Sequence, residues 1–114
     1  MNVAIEEHHL SARTIRLTGR LEASVVPTLK ESFKEMIRSG HCNLILDLSK
    51  VSFIDSSGLG MLSSILHATS ACGGRLRCVV DADSAILRTL ILVRFERVLS
   101  IYSTHEEALR SITL

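Results

Sequence analysis

What most constrains this chain is an alternation between short runs with strand character and longer segments with helical period. Asn43-Leu44-Ile45-Leu46-Asp47-Leu48 is short and nearly all apolar, which fits a central strand covered on both faces. Upstream, Val25, Val26, Leu29, Phe33, Met36 and Ile37 recur at helical spacing. Ser24 is the expected N-cap of this helix, Pro27 lies inside its first turn and Gly40 stands at its stop. Downstream, Leu59, Met61, Leu62, Ile65 and Leu66 make the apolar stripe of a helix running from Ser56 or Ser57 to about Cys72 and closed by Gly73-Gly74.

Arg75 to Val80 then reads as a strand with Leu76, Cys78 and Val80 on one face. Asp83 or Ser84 caps a helix carrying Ile86, Leu87, Leu90 and Ile91, and Val98 to Tyr102 is a last strand. Ser103-Thr104-His105-Glu106 is a capping box that opens a final helix through Ala108, Leu109 and Ile112. At the front, Val3 and Ile5, then Ile15 and Leu17, alternate with polar neighbours. They predict two half-buried strands joined by a turn near His9 to Ser11. The order β-β-α-β-α-β-α-β-α places the chain in the α/β class. The expected sheet is central, mixed and mainly parallel, of about four to five strands with about four helices, its first strand antiparallel. There is no internal repeat, low-complexity tract or linker, so residues 1–114 are expected to form one domain, long enough to bury a core unaided.

Composition removes several partners. A formal net charge of +1 leaves no basic excess for nucleic acid or anionic lipid, and 4% aromatic residues without tryptophan offer no base-stacking platform. No stretch reaches the ~18 uninterrupted apolar residues of a membrane span, and MNVAIEEHHL lacks a leader pattern, so a cytoplasmic protein without membrane insertion is expected. Cys42, Cys72 and Cys78 match no zinc spacing and are expected as reduced thiols.

The chemistry concentrates in VSFIDSSGLG, residues 51–60. In such a sheet the functional crevice lies beyond the carboxyl ends of the strands, and this stretch is the turn between the central strand and its helix. Gly19-Arg20-Leu21-Glu22, Asp81-Ala82-Asp83-Ser84 and Ser103-Thr104 should emerge on the same side and form one patch with it. A serine hydrolase needs a G-x-S-x-G elbow and a base histidine, whereas Ser56 follows Ile54-Asp55 and the five histidines are scattered. A phosphate loop needs a G-x-x-x-x-G-K-[ST] lysine, which is absent. No His or Cys pair has metal-ligand spacing on one helix, so neither a metal nor a cofactor is expected. The structural alternative is a well-made helix start: a serine N-cap worth about 1 kcal/mol, an acid at the positive helix end, and Gly58 for close packing. Gly60 is expected to serve helix packing.

The whole chain resembles the STAS-domain family, and within it the stand-alone bacterial anti-sigma-factor antagonists. LTGRLEASVVPTLKESF stands where that family has a G-E-L-D turn and first helix, LILDLSKVSFIDSSGLGMLSSILHATSACGGRL resembles its central block, and IYSTHEEAL its closing strand and helix. The resemblance implies a switch protein and not an enzyme. Its unmodified form would bind an anti-sigma factor that is also a serine-protein kinase and so free the sigma factor; phosphorylation of Ser56 would end that binding, and a phosphoserine phosphatase would restore it. Glu22, Asp55, Ser56, Ser57 and Gly58 would meet the partner, with Asp55 orienting the serine and Ser57 in the more structural role. Arg20 and Glu22 depart from the family's acid pair. The alternative within the same family is a STAS subunit of a lipid or solute transport complex without a phosphorylation cycle; a second is a small-ligand or nucleotide site in the same crevice.

Overall fold

The computed structural model describes residues 1–112. Along the chain run β1 (Asn2–Glu7), a 3-10 turn (His9–Ser11), β2 (Arg13–Leu21), α1 (Val26–Arg38), β3 (Asn43–Ile54), α2 (Ser56–Ala71), β4 (Arg75–Val79), α3 (Ala85–Leu92), a second 3-10 turn (Phe95–Arg97), β5 (Ser100–Tyr102) and α4 (His105–Ile112). The strands form one sheet in sequence order, antiparallel between β1 and β2 and parallel thereafter. Each parallel step needs a crossover, and α1, α2 and α3 supply them.

These three helices lie on one face. Leu29 and Phe33 of α1, Met61, Leu62 and Ile65 of α2, and Ile86 and Leu90 of α3 pack with Leu44, Leu46 and Leu48 in the main core. The other face carries α4, whose Ala108 packs on Ile45 and Val79 with Leu109 and Ile112 at its side. Strand alternation divides β3 between these layers, so Leu44, Ile45 and Leu46 are all fully buried. That is the physical reason for the unbroken apolar run in the sequence.

Some expectations need correction. The first strand is not half-buried: β1 is exposed throughout, with Val3 at 45% and Ile5 at 51%, because helices cover the sheet only from β2 onward. Ser24 does not cap α1; its first turn closes on the Glu22 carbonyl, which accepts from the Val25 and Val26 amides. The last strand is shorter than Val98 to Tyr102, since a 3-10 turn precedes it and Val98 is exposed. The capping box at α4 is shifted one residue, to Thr104 and Glu107: the Glu107 amide donates to Thr104 Oγ1, which donates to the Glu107 carboxylate. Gly60 has open space where a Cβ would stand, so it packs against nothing.

The cysteine expectation is also corrected. Cys42 and Cys72 form a disulfide with their Cα atoms 5.9 Å apart, and Cys78 alone is free. The parallel pairing of Asn43 with Arg75 brings the two cysteines together, each one step outside a strand or helix end.

Candidate functional site

The turn after β3 is built by Asp55. Its backbone is extended while Ser56 is already helical, so the N-cap of α2 is the acid and not a serine. One carboxylate oxygen accepts from the Gly58 amide at 3.0 Å and the other from the Ala23 amide at 3.0 Å. The Asp55 amide in turn donates to the Leu21 carbonyl at 3.2 Å. The acid therefore caps α2 and also fastens the turn after β2 to the turn after β3. The bond from Gly58 chiefly, helped by that from Ala23, holds the Asp55 carboxyl below the usual aspartate range against an opposing effect of burial.

Gly58 is buried in the first turn of α2 because nothing larger fits: a Cβ there would come within 2.7 Å of Ile54 Cγ1 and 2.8 Å of the Leu21 carbonyl oxygen. Its role is thus close packing of α2 onto β2 and β3. Ser57 is half-buried, and Ser56 is exposed at the first helical position. With the cap supplied by Asp55, the Ser56 hydroxyl is not needed to hold the helix start.

Beside this turn Arg20 lies over the ring of Phe53, its guanidinium carbon 4.1 Å from the centroid, and donates through Nε to Glu22 at 3.1 Å. Arg20 and Phe53 are register partners across β2 and β3. Cation–π stacking of this kind orders an exposed side chain, so Glu22 and Arg20 form one patch with a half-exposed aromatic floor. The sequence shows Arg20 only as a departure from the family's acid pair, with no sign of its contact with Phe53; that contact depends on a register shift between Gly19 and Arg20 that local pattern does not reveal.

The structure also brings together histidines that are far apart in sequence. The buried Thr14 hydroxyl stands between His8 Nε2 at 2.6 Å and His105 Nε2 at 2.7 Å. Arg16, which can only donate, approaches His105 Nδ1 at 3.3 Å. That orients the chain: His105 Nε2–H donates to Thr14, the Thr14 hydroxyl donates to His8, and His8 Nδ1–H faces Glu6 at 3.9 Å. Burial, with Arg16 adding to it, pushes the His105 pKa down and favours this neutral form.

Glu6, His8 and His105 are the described residues that come nearest to a metal-ligand set, their ligand atoms within 4.8 Å of one another. The Arg16 guanidinium, 2.7 Å from Glu6, already occupies the cationic place, and both Nε2 atoms are engaged by Thr14. The cluster accordingly fastens α4 to β1 and β2. Each of these contacts crosses between elements, so no spacing rule could have found them.

The model of the STAS domain matches residues 3–108. The chain belongs to the STAS-domain family. Among STAS relatives, the anti-sigma F factor antagonist of Paenibacillus polymyxa is 29% identical over 114 residues, covering 98% of this chain and 97% of its own. A Thermotoga neapolitana protein described as a candidate anti-sigma factor antagonist is 34% identical over 80 residues, 70% of each chain. Solved STAS structures share the fold. An anti-sigma factor antagonist from Mycobacterium paratuberculosis superposes with a TM-score of 0.87 at 20% identity, over 99% of this chain and 94% of its own. The antagonist SpoIIAA does so in its unphosphorylated form with a TM-score of 0.79 at 24% identity, over 98% of each chain. Its phosphorylated form, from Bacillus, gives 0.74 at 23%, over 97% of this chain and 99% of its own. Among the described residues, no helix is long and apolar enough to cross a membrane.

Proposed function

We propose that this STAS domain is an anti-sigma-factor antagonist, working in the cytoplasm, that binds an anti-sigma factor with serine-kinase activity while Ser56 is unmodified and loses that partner when Ser56 is phosphorylated. The observation that carries the reading is the division of labour at the start of α2. Asp55 does the capping and Gly58 the packing, which leaves Ser56 exposed with a hydroxyl the fold does not use.

A phosphoryl group there adds about −1.5 to −2 charges, at a helix end whose dipole and amides favour an anion. The domain keeps its fold when modified. The partner meets a different surface: in an interface the new charge must be desolvated beside whatever acidic group serves the kinase as base, and burying like charges together is costly. Glu22, Asp55 and Ser57 form the partner-binding face together with the serine; Gly58 lies buried beneath it and sets how closely α2 sits, and Arg20 is stacked on Phe53 at its edge. The protein is then a substrate and switch and needs no catalytic residue. A phosphoserine phosphatase resets it.

The test is incubation with a co-encoded serine kinase and ATP, followed by mapping of phosphate by mass spectrometry. Phosphate on Ser56 is expected; phosphate on Ser57 alone, or none, overturns the proposal. In a binding titration Ser56→Asp should weaken the kinase complex and Ser56→Ala should hold it in the presence of ATP. Equal affinities would remove the charge mechanism, and stable co-purification with a transporter ATPase instead would favour the other STAS role.

A further inference from the structure

We propose that Cys42 and Cys72 are a reversible thiol–disulfide couple, through which the redox state of the surroundings acts on the far end of the helix that carries Ser56. The cellular setting rests on the antagonist reading above: a partner of the transcription machinery works in a reducing compartment, where disulfides are mostly transient and redox-sensing. The rest of the argument comes from the geometry.

The two cysteine backbones are held in place by contacts other than the sulfur bond. The Arg75 amide donates to the Cys42 carbonyl at 3.0 Å, and the Gly74 amide to Thr69 at 2.9 Å. Gly74 lies so tightly on Cys42 that a Cβ would stand 1.9 Å from the Cys42 carbonyl oxygen. With the Cα atoms at 5.9 Å, inside the usual bridging range, the thiols of the reduced protein remain within reach of each other. Neither cysteine belongs to the hydrophobic clusters, so opening the bond leaves the core as it is. Both redox states can therefore be folded, which a switch requires and a staple does not.

Access and isolation complete the couple. Cys72 is exposed and Cys42 half-buried, so Cys72 Sγ is the sulfur an external thiolate reaches. Cys78 is fully buried with its thiol pushed up to about 12, which leaves it too little thiolate to compete in exchange. The chemistry is a two-electron exchange with a dithiol reductant. One reductant thiolate attacks Cys72 Sγ, the Cys42–Cys72 bond breaks, and Cys42 leaves as a thiolate that takes a proton. The second reductant thiol loses its proton and attacks the mixed disulfide, releasing Cys72, which takes a proton. The reductant departs as a disulfide, and two electrons and two protons have passed to the protein. Oxidation by glutathione disulfide runs through the corresponding steps in reverse, yielding two reduced glutathiones.

What the bond controls is local. Cys72 is the C-cap residue of α2, and Ser56 is its first residue. Oxidation pins the end of the helix opposite Ser56 to the start of β3; reduction leaves that end held by backbone bonds alone.

The experiment uses the full chain without any partner, so its failure is independent of failure at Ser56. The protein is equilibrated across ratios of reduced to oxidised glutathione, trapped with an alkylating agent and analysed by peptide mass spectrometry, with amide hydrogen exchange on both end states. The expected result is one two-electron transition linking Cys42 and Cys72, Cys78 unlabelled until denaturant is added, and exchange that rises on reduction only near residues 68–75. Cys42→Ser should convert the transition to a mixed disulfide at Cys72. The proposal is overturned if the two thiols stay unpaired at every ratio, if the native bond resists a dithiol, or if reduction deprotects α1 and β3 together, which marks a structural staple.

Discussion

The two ends of α2 are fastened by different chemistry. At the first turn Asp55 accepts from Gly58 and Ala23, and the glycine lets the helix sit against the Leu21 carbonyl. All of that is noncovalent, and it leaves the Ser56 hydroxyl in solvent. At the last turn Gly74 presses on Cys42 and a disulfide closes the junction. The difference teaches where the molecule can change. A group can be added at the first end without disturbing any bond that holds the helix. At the second end the bond itself is what can be added or removed.

Substitutions can break this contrast, beginning with the tightest contact. Gly74→Ala drives a Cβ into the Cys42 backbone, which has no rotamer with which to give way. A loss of about 3 kcal/mol or more is expected in urea unfolding; a loss below about 1 kcal/mol would show that the junction is loose. Gly58→Ala meets one backbone oxygen, that of Leu21, and two side-chain atoms, Ile54 Cγ1 and Leu21 Cγ, which can give way in part by a side-chain shift. About 1–3 kcal/mol is expected in the same measurement, with hydrogen exchange rising at the Asp55 and Ala23 amides and not near Cys72.

Asp55→Ala should have the smallest effect on the unfolding midpoint, and its signature is pH. The folded carboxyl is held below the ordinary value of 3.8. Its contribution is therefore complete above that value and is lost as pH falls through the depressed folded value. The difference in midpoint between the parent and the variant should stay flat from neutrality to about pH 4 and shrink below it. A difference that grew on acidification would contradict the capping geometry.

Much of this was legible in advance. The strand and helix order followed from period, and the D-S-S-G-L turn was located correctly because it sits where an apolar strand gives way to a helical stripe. Which residue in the turn caps was not legible: Asp, Ser and Ser are all good caps, and only the backbone angles at Asp55 decide among them. The exposure of β1 was missed for a related reason. Alternation of Val3 and Ile5 shows that a segment can present two faces, but it does not show whether anything covers either one.

The sequence by itself determined the class of sheet, the order of its elements and the place of the D-S-S-G-L turn, because those depend on residues within a few turns of one another. Only the tertiary structure decided that Asp55 reaches Ala23 across 32 positions, that Cys42 meets Cys72 across 30, and that Thr14, beside His8, meets His105 across 91. Such contacts are set by strand register and helix docking, and no local pattern records which partners those will bring within bonding distance.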